Sequence, residues 1–386
     1  MSNQIFQTLK ELPTTLSQVQ CVLHKHELLI CGGNYERAFG HCVVKLIDNN
    51  KDKNQITLLS FGGYYKHTLV MKYVSVWTND NNNYENKMNK SKKLNKSNNC
   101  NEWTPFKDNH NHPIIIGRDN DNYRGMRALV GGINNHLLFI TYFKNNISVF
   151  DLNIFQFIKH DTLPTIYSIW YHCFVSKPEN KQEQEMMKTN KQNYQMLLFK
   201  QKTVLSIEYD EDNNTFQFHK LPVCKDITPF CAYACVCIND VVLSFGGYSG
   251  INDISKSVFK YSIRENKWMT FENTLPSPLS YCVAILREED NHIHIIGGKD
   301  DKNASVSTHM KTKVREWDPS QLSKNEIKCI VEHWIQTLKI KLGWINDFKH
   351  SKTNDSINFF FSVFFNKIVK MKDFKIAHSL LLGRSH

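Results

Sequence analysis

Residues 234–268 restrict the fold of this chain more than any other stretch. Val236-Cys237-Ile238 and Val241-Val242-Leu243-Ser244-Phe245 are short apolar runs on either side of Asn239-Asp240, the pattern of a β-hairpin. The second run ends in Gly246-Gly247, where the backbone can turn sharply or approach another strand closely. Tyr261 and Trp268 then fall in two further short runs, 257–262 and 267–271. The unit recurs: residues 293–296 lead into Gly297-Gly298, 51 positions after Gly246-Gly247.

Four short strands within about one repeat length describe one blade of a β-propeller, and the rest of the chain reads as variations on it. Outer-strand runs pass through a Leu-Pro turn into the next inner strand at 4–13, 154–164, 216–222 and 268–276. Proline suits that place because it lies between strands and removes no ladder donor. Read in order, the repeats give six units. The first has strands at 21–24 and 28–31 before Gly32-Gly33. The second has strands at 41–46 and 56–61 before Gly62-Gly63, then 73–77 and 103–106. The third and fourth have no glycine pair after their second strand, and the sixth is assigned 281–286, 293–296 and 312–317. The sixth unit lacks an outer strand, whereas residues 4–9 are an outer strand without a blade, so the N-terminal strand is expected to close the ring and remove its exposed edges. Only 30 positions separate Gly32 from Gly62, so the first blade is expected to be truncated.

Composition narrows the function. The 48 Lys and Arg against 37 Asp and Glu give a formal charge of +11, which raises nucleic acid or an anionic membrane as partners. Residues 79–101 carry +3 of that charge and residues 324–386 carry +6, leaving a nearly neutral body. Nucleic acid is therefore an unfavoured partner, and binding through the basic segments would weaken steeply with salt. The Asn/Lys-rich insertion 79–101 is expected to be disordered. Eleven scattered Cys suit reduced core thiols in a cytoplasmic protein. No signal-peptide pattern opens the chain, and no apolar run reaches membrane-spanning length. Past the repeats, Ser323 and Glu326 form a capping box. Ile327, Ile330, Val331, Trp334, Ile335, Leu338 and Leu342 follow at helical spacing, with Gly343 as the stop. The expected organisation is a propeller over 1–317, an amphipathic helix over 318–343 and a basic, Phe-rich tail over 344–386.

A strand ending in Gly-Gly, then Tyr, then Trp about seven residues later, at a spacing near fifty, resembles the kelch-repeat β-propeller family. The matching residues are Gly32, Gly33, Gly62, Gly63, Gly246, Gly247, Tyr261, Trp268, Gly297, Gly298 and Trp317. The resemblance implies an all-β, six-bladed ring that serves as a protein-binding platform and needs no cofactor. The residues after the glycine pairs, Tyr35, Arg37, Tyr64, Lys66, Tyr248, Lys299 and Asp300, begin loops that by resemblance help form the ligand face. Tyr and Arg are also favoured interface anchors. The expected function is non-catalytic binding of a partner protein, with the C-terminal helix as a docking or oligomerisation element and no small-molecule substrate. The rival reading is a propeller enzyme of oxidase or sugar-isomerising type, the former holding copper through Tyr and His, and metal analysis separates the two. The His-x-His pairs His24/His26, His110/His112 and His292/His294 place imidazoles two residues apart, but the sequence identifies no third ligand, and no metal site is assigned. No phosphate-binding glycine loop, Gly-x-Ser-x-Gly or His-Glu-x-x-His occurs.

Overall fold

The computed structural model describes residues 5–32, 40–47, 55–75, 100–178, 193–227, 230–250 and 253–318. Two compact units divide the chain, Met1–Lys313 and Val314–His386. Among the described residues the first unit holds every strand, and the second shows a 3-10 turn, Val314–Glu316, with Trp317 buried.

In the first unit, β1 (Phe6–Thr8) is followed by a hairpin of β2 (Gln20–His24) and β3 (Glu27–Cys31). The second sheet contains β4 (His41–Leu46), β5 (Gln55–Gly62), β6 (His67–Val74) and β7 (Thr104–Pro105). The third contains β8 (Arg127–Gly131), β9 (Leu137–Tyr142), β10 (Asn146–Asp151) and β11 (Gln156–Thr162). The fourth contains β12 (Cys173–Ser176), β13 (Tyr194–Lys200), β14 (Thr203–Asp210) and β15 (Thr215–Lys220). The fifth contains β16 (Ala234–Ile238), β17 (Val241–Phe245), β18 (Val258–Ser262) and β19 (Lys267–Thr270). The sixth joins β20 (Val283–Arg287), β21 (His292–Ile296) and β22 (His309–Lys313) to β1, in the order β1-β22-β21-β20. All pairings between these strands are antiparallel. The first strands contact one another in a closed circuit, β2 to β4, β8, β12, β16, β20 and back to β2.

The core is a set of slabs between neighbouring sheets rather than one centre. Along β9, Leu138, Ile140 and Tyr142 pack with Phe61 and Leu59 of the second sheet, while Leu137 and Phe139 pack with Leu198 and Ile207 of the fourth. Alternate side chains of one strand thus enter two different cores. That is why the second strands read as unbroken apolar runs: a sheet covered on both faces has no polar face to alternate.

Aromatic residues repeat this packing around the ring. Trp268 on β19 lies edge-on to Phe199 of the preceding sheet, with ring centroids 5.9 Å apart. Phe216 on β15 stands likewise on Phe139 at 6.5 Å, and Phe6 on β1 on Phe245 at 6.5 Å. Tyr261 pairs with Trp268 across β18 and β19 and donates its hydroxyl to Asn266 at 3.0 Å. Tyr209 pairs with Phe216 and donates to Asn214 at 2.7 Å. Both asparagines sit at positive φ in the turn between third and fourth strands, a conformation Asn tolerates well. The fourth sheet therefore keeps the Tyr–Asn–aromatic device although its glycine pair is gone.

Several expectations are corrected. Among the described residues the ring has five four-stranded blades and a two-stranded hairpin, not six blades, because the interval between Cys31 and His41 is too short for two more strands and their turns. In the second sheet the third strand is His67–Val74, earlier than 73–77, because it leaves β5 through a tight turn. In the sixth sheet it is His309–Lys313, earlier than 312–317. Trp317 thus follows a 3-10 turn and is not the counterpart of Trp268; Phe6, opposite Thr312, holds that place. There is no α-helix among the described residues. The helix expected over 318–343, the tail 344–386 and nearly all of the insertion 79–101 lie outside them.

Candidate interaction face

In the second, fifth and sixth sheets the glycine pairs tie the sheet to the chain entering the next. Gly247 N–H donates to Leu279 C=O at 2.8 Å, Gly298 N–H to Leu16 C=O at 2.7 Å and Gly63 N–H to Tyr123 C=O at 3.3 Å. In each case the acceptor lies on the link that leads into the following sheet. Gly246 has φ +67°, and a Cβ there would stand 2.1 Å from the Leu279 carbonyl oxygen, so only glycine permits the approach. The loops also bridge to the link entering their own sheet, Tyr248 to Cys231 and Lys299 to Ser280. Loops between second and third strands and links between sheets therefore share one face of the ring, the glycine-pair face.

A second device encircles the axis on that face. Just before the first strand of each sheet stands one residue of positive φ: Gln18, Gly40, Gly125, Tyr171, Ala232 and Tyr281. Four of the six consecutive pairs hydrogen-bond through the backbone, Gly125 N–H to Gly40 C=O at 2.8 Å, Tyr171 to Gly125 at 2.7 Å, Tyr281 to Ala232 at 2.8 Å and Gln18 to Tyr281 at 3.1 Å. Four of the six positions carry side chains in a conformation that disfavours them, so the surrounding hydrogen bonds must hold it. This collar has one member for the hairpin as for each complete blade.

Tyr171 stands across the mouth of the collar. Its hydroxyl donates to Gln18 Oε1 on the opposite side of the ring. Its ring meets Tyr281 edge-on at 5.0 Å, and the Arg127 guanidinium lies 5.8 Å from its centroid. Burial raises the Tyr171 pKa against the opposing hydrogen bond and charge of Arg124, and burial pushes Tyr281 up to about 12. Beside the plug, His172 is buried, with Nε2 2.6 Å from Thr141 Oγ1 and Nδ1 without a partner. Burial first, then the charges of Arg127 and Lys200, holds His172 well below the usual histidine range and therefore neutral. Lys200 is buried too, donating to Trp170 C=O at 3.1 Å, and burial lowers its pKa. No carboxylate among the described residues pairs with Arg127 or Lys200.

The predicted loop residues are placed unevenly. Tyr64 is 65% exposed and stacks edge-on with Tyr65. Lys66 instead pins the turn, its ammonium donating to the carbonyls of Arg118 (2.9 Å) and Asp119. Tyr248 leans on Tyr281, with ring centroids 6.4 Å apart. Asp300 Oδ1 accepts from Lys302 and Ala304 N–H, and Lys299 Nζ donates to Asn303, so both organise their own loop. Tyr35, Arg37 and Gly33 lie outside the described residues. Gly32 faces the ring of His41.

Sequence reasoning missed the residues that fill and flank the mouth. Of the five exposed aromatics among the described residues, Tyr64, Tyr65, Tyr167 and Trp170 are on this face, and Trp103 precedes an outer strand. Phe143 stacks on Trp170 at 5.6 Å, Lys202 lies over Tyr167 at 5.8 Å, and Ile115 and Ile166 are exposed on neighbouring links. The signal was present in 164–171, where a Pro-initiated link is richer in aromatics than a solvated loop requires.

The Kelch motif matches residues 229–273, the fifth sheet and the link into it. No curated protein matches the sequence. The solved structure of YjhT is similar at 12% identity and a TM-score of 0.49, covering 78% of this chain and 96% of that one. The chain is an all-β propeller that carries a kelch motif in its fifth sheet.

Proposed function

We propose that the chain is a non-catalytic platform that holds a partner protein on the glycine-pair face, over the second to fourth sheets. The observation that carries this reading is the concentration of exposed aromatic side chains there, Tyr64, Tyr65, Tyr167 and Trp170, beside the exposed Ile115 and Ile166. Large aromatics are the side chains that anchor interfaces, because each buries much surface while fixing few torsions. Arg127, half-buried beside the collar and unpaired with any described carboxylate, fits a partner segment that brings a carboxylate alongside its apolar side chains. Buried, unpaired thiols at Cys31, Cys42, Cys173, Cys231 and Cys282 support a reducing compartment such as the cytoplasm.

The test is affinity purification from cells with mass spectrometry, comparing the full chain with a Tyr64→Ala, Tyr65→Ala, Trp170→Ala variant and with Ile133→Ala, which alters the turn between first and second strands of the third sheet. A direct partner should be lost by the triple variant and kept by Ile133→Ala, and its purified form should bind the wild type at least tenfold tighter than the triple variant. Equal affinities would remove this face from consideration.

A further inference from the structure

The loop between β7 and β8 contains Asp108, His110 and His112 within one narrow turn. Lys107 bridges Pro113 across its base, Asp108 N–H donates to His112 C=O at 3.0 Å, and Asn111 N–H returns to Asp108 C=O at 3.1 Å. Asn111 takes positive φ to close the turn. Asp108 Oδ1 accepts the backbone N–H groups of His110 and His112, both at 2.8 Å, which leaves Oδ2 directed toward the imidazoles. His112 Nδ1 lies 3.2 Å from Oδ2, and the two histidine rings stack at 6.0 Å with 24° between their planes. One donor atom from each of the three residues lies within 4.8 Å of the others.

We propose that Asp108, His110 and His112 form a binding site for a divalent first-row transition ion. Two imidazoles and one carboxylate are the ligand types that Zn²⁺ and Ni²⁺ accept, with bonds of about 2.0–2.2 Å for Zn²⁺. Small side-chain rotations bring the donors to such a centre, and solvent completes the coordination because His110 and His112 are exposed. The Asp108–His112 contact is the second reason for the assignment: a carboxylate already oriented by two backbone donors needs no further ordering to accept the ion. The other His-x-His pairs are engaged differently. His26 pairs with Glu289, His292 Nδ1 meets Asp290 C=O at 2.7 Å, and His294 Nδ1 meets His309 Nε2 at 3.1 Å.

Calorimetric titration of the metal-free full chain with Ni²⁺, an imidazole-preferring probe, tests the assignment. The wild type should bind one equivalent that His110→Ala/His112→Ala lacks. Asp108→Asn keeps an oxygen for the two backbone donors but loses the charge, and should bind at least tenfold more weakly. His292→Ala should bind as the wild type does. Equal melting temperatures will show that the variants fold. The proposal is overturned if the wild type and the double variant take up the same Ni²⁺ with the same affinity, if the wild type takes up none, or if Asp108→Asn binds unchanged.

Discussion

Gly246→Ala tests why the glycine pairs exist. The residue has φ +67°, and the added methyl would stand 2.1 Å from the Leu279 carbonyl oxygen and 3.2 Å from that of Ser255. Both neighbours are backbone, so no side chain can swing aside. A Cβ in left-handed backbone costs about 1–2 kcal/mol, and overpacking a tight contact adds about 1–3 kcal/mol. Pushing the Leu279 carbonyl away also lengthens its 2.8 Å bond to Gly247 N–H, at a cost of about 0.5–1.5 kcal/mol. The expected loss is therefore about 3 kcal/mol or more. Gly250→Ala is the matched control, since φ there is +88° but a Cβ would meet nothing within 4 Å. It pays only the backbone preference, partly offset by the lower entropy of its unfolded chain, for a net of about 1 kcal/mol. Urea unfolding of the two variants should separate their midpoints by roughly 0.5–1 M. If both fall equally, the close approach to Leu279 is not what requires glycine, and the stitching argument fails.

Two further perturbations address ring closure and pH. Phe6 is buried on β1 and packs on Phe245, so Phe6→Ala should destabilise by about 3–5 kcal/mol, and deletion of residues 1–10 should lower the melting temperature sharply by baring the edge of β22; an unchanged melt on deletion would refute closure by the N-terminal strand. Burial, and then the neighbouring His309, holds His294 down to about 4 from an ordinary 6.5, and His309 is lowered as well. The unfolded chain therefore takes up these protons first as pH falls, so the contribution of His294 to stability is present above pH 6.5 and is lost toward pH 4. Urea midpoints measured from pH 7.5 to pH 4.5 should fall less steeply for His294→Gln than for the wild type, and parallel curves would count against the assignment.

The repeat was legible because strand alternation, glycine pairs and Leu-Pro turns are local signals. Pairing of the stray N-terminal strand with the last sheet was legible by elimination, since one outer strand was missing and one was spare. Strand limits failed at His67–Val74 and His309–Lys313, where aromatic anchors at Tyr73 and Trp317 drew the reading too far along the chain. The fourth sheet looked degenerate without its glycine pair, yet Tyr209, Asn214 and Phe216 keep the spacing of Tyr261, Asn266 and Trp268. That signal was readable and went unused.

By itself, the sequence determined the all-β repeat, the short first unit and the loops that had to share a face, because each follows from period, length and turn chemistry within a few residues. Only the tertiary structure decided which residues occupy the axis. Tyr171 meets Gln18 across 153 positions of chain, and the collar forms from six residues with no common side chain, only a common left-handed backbone. Such contacts depend on ring closure and loop geometry, which no local pattern of residue types encodes.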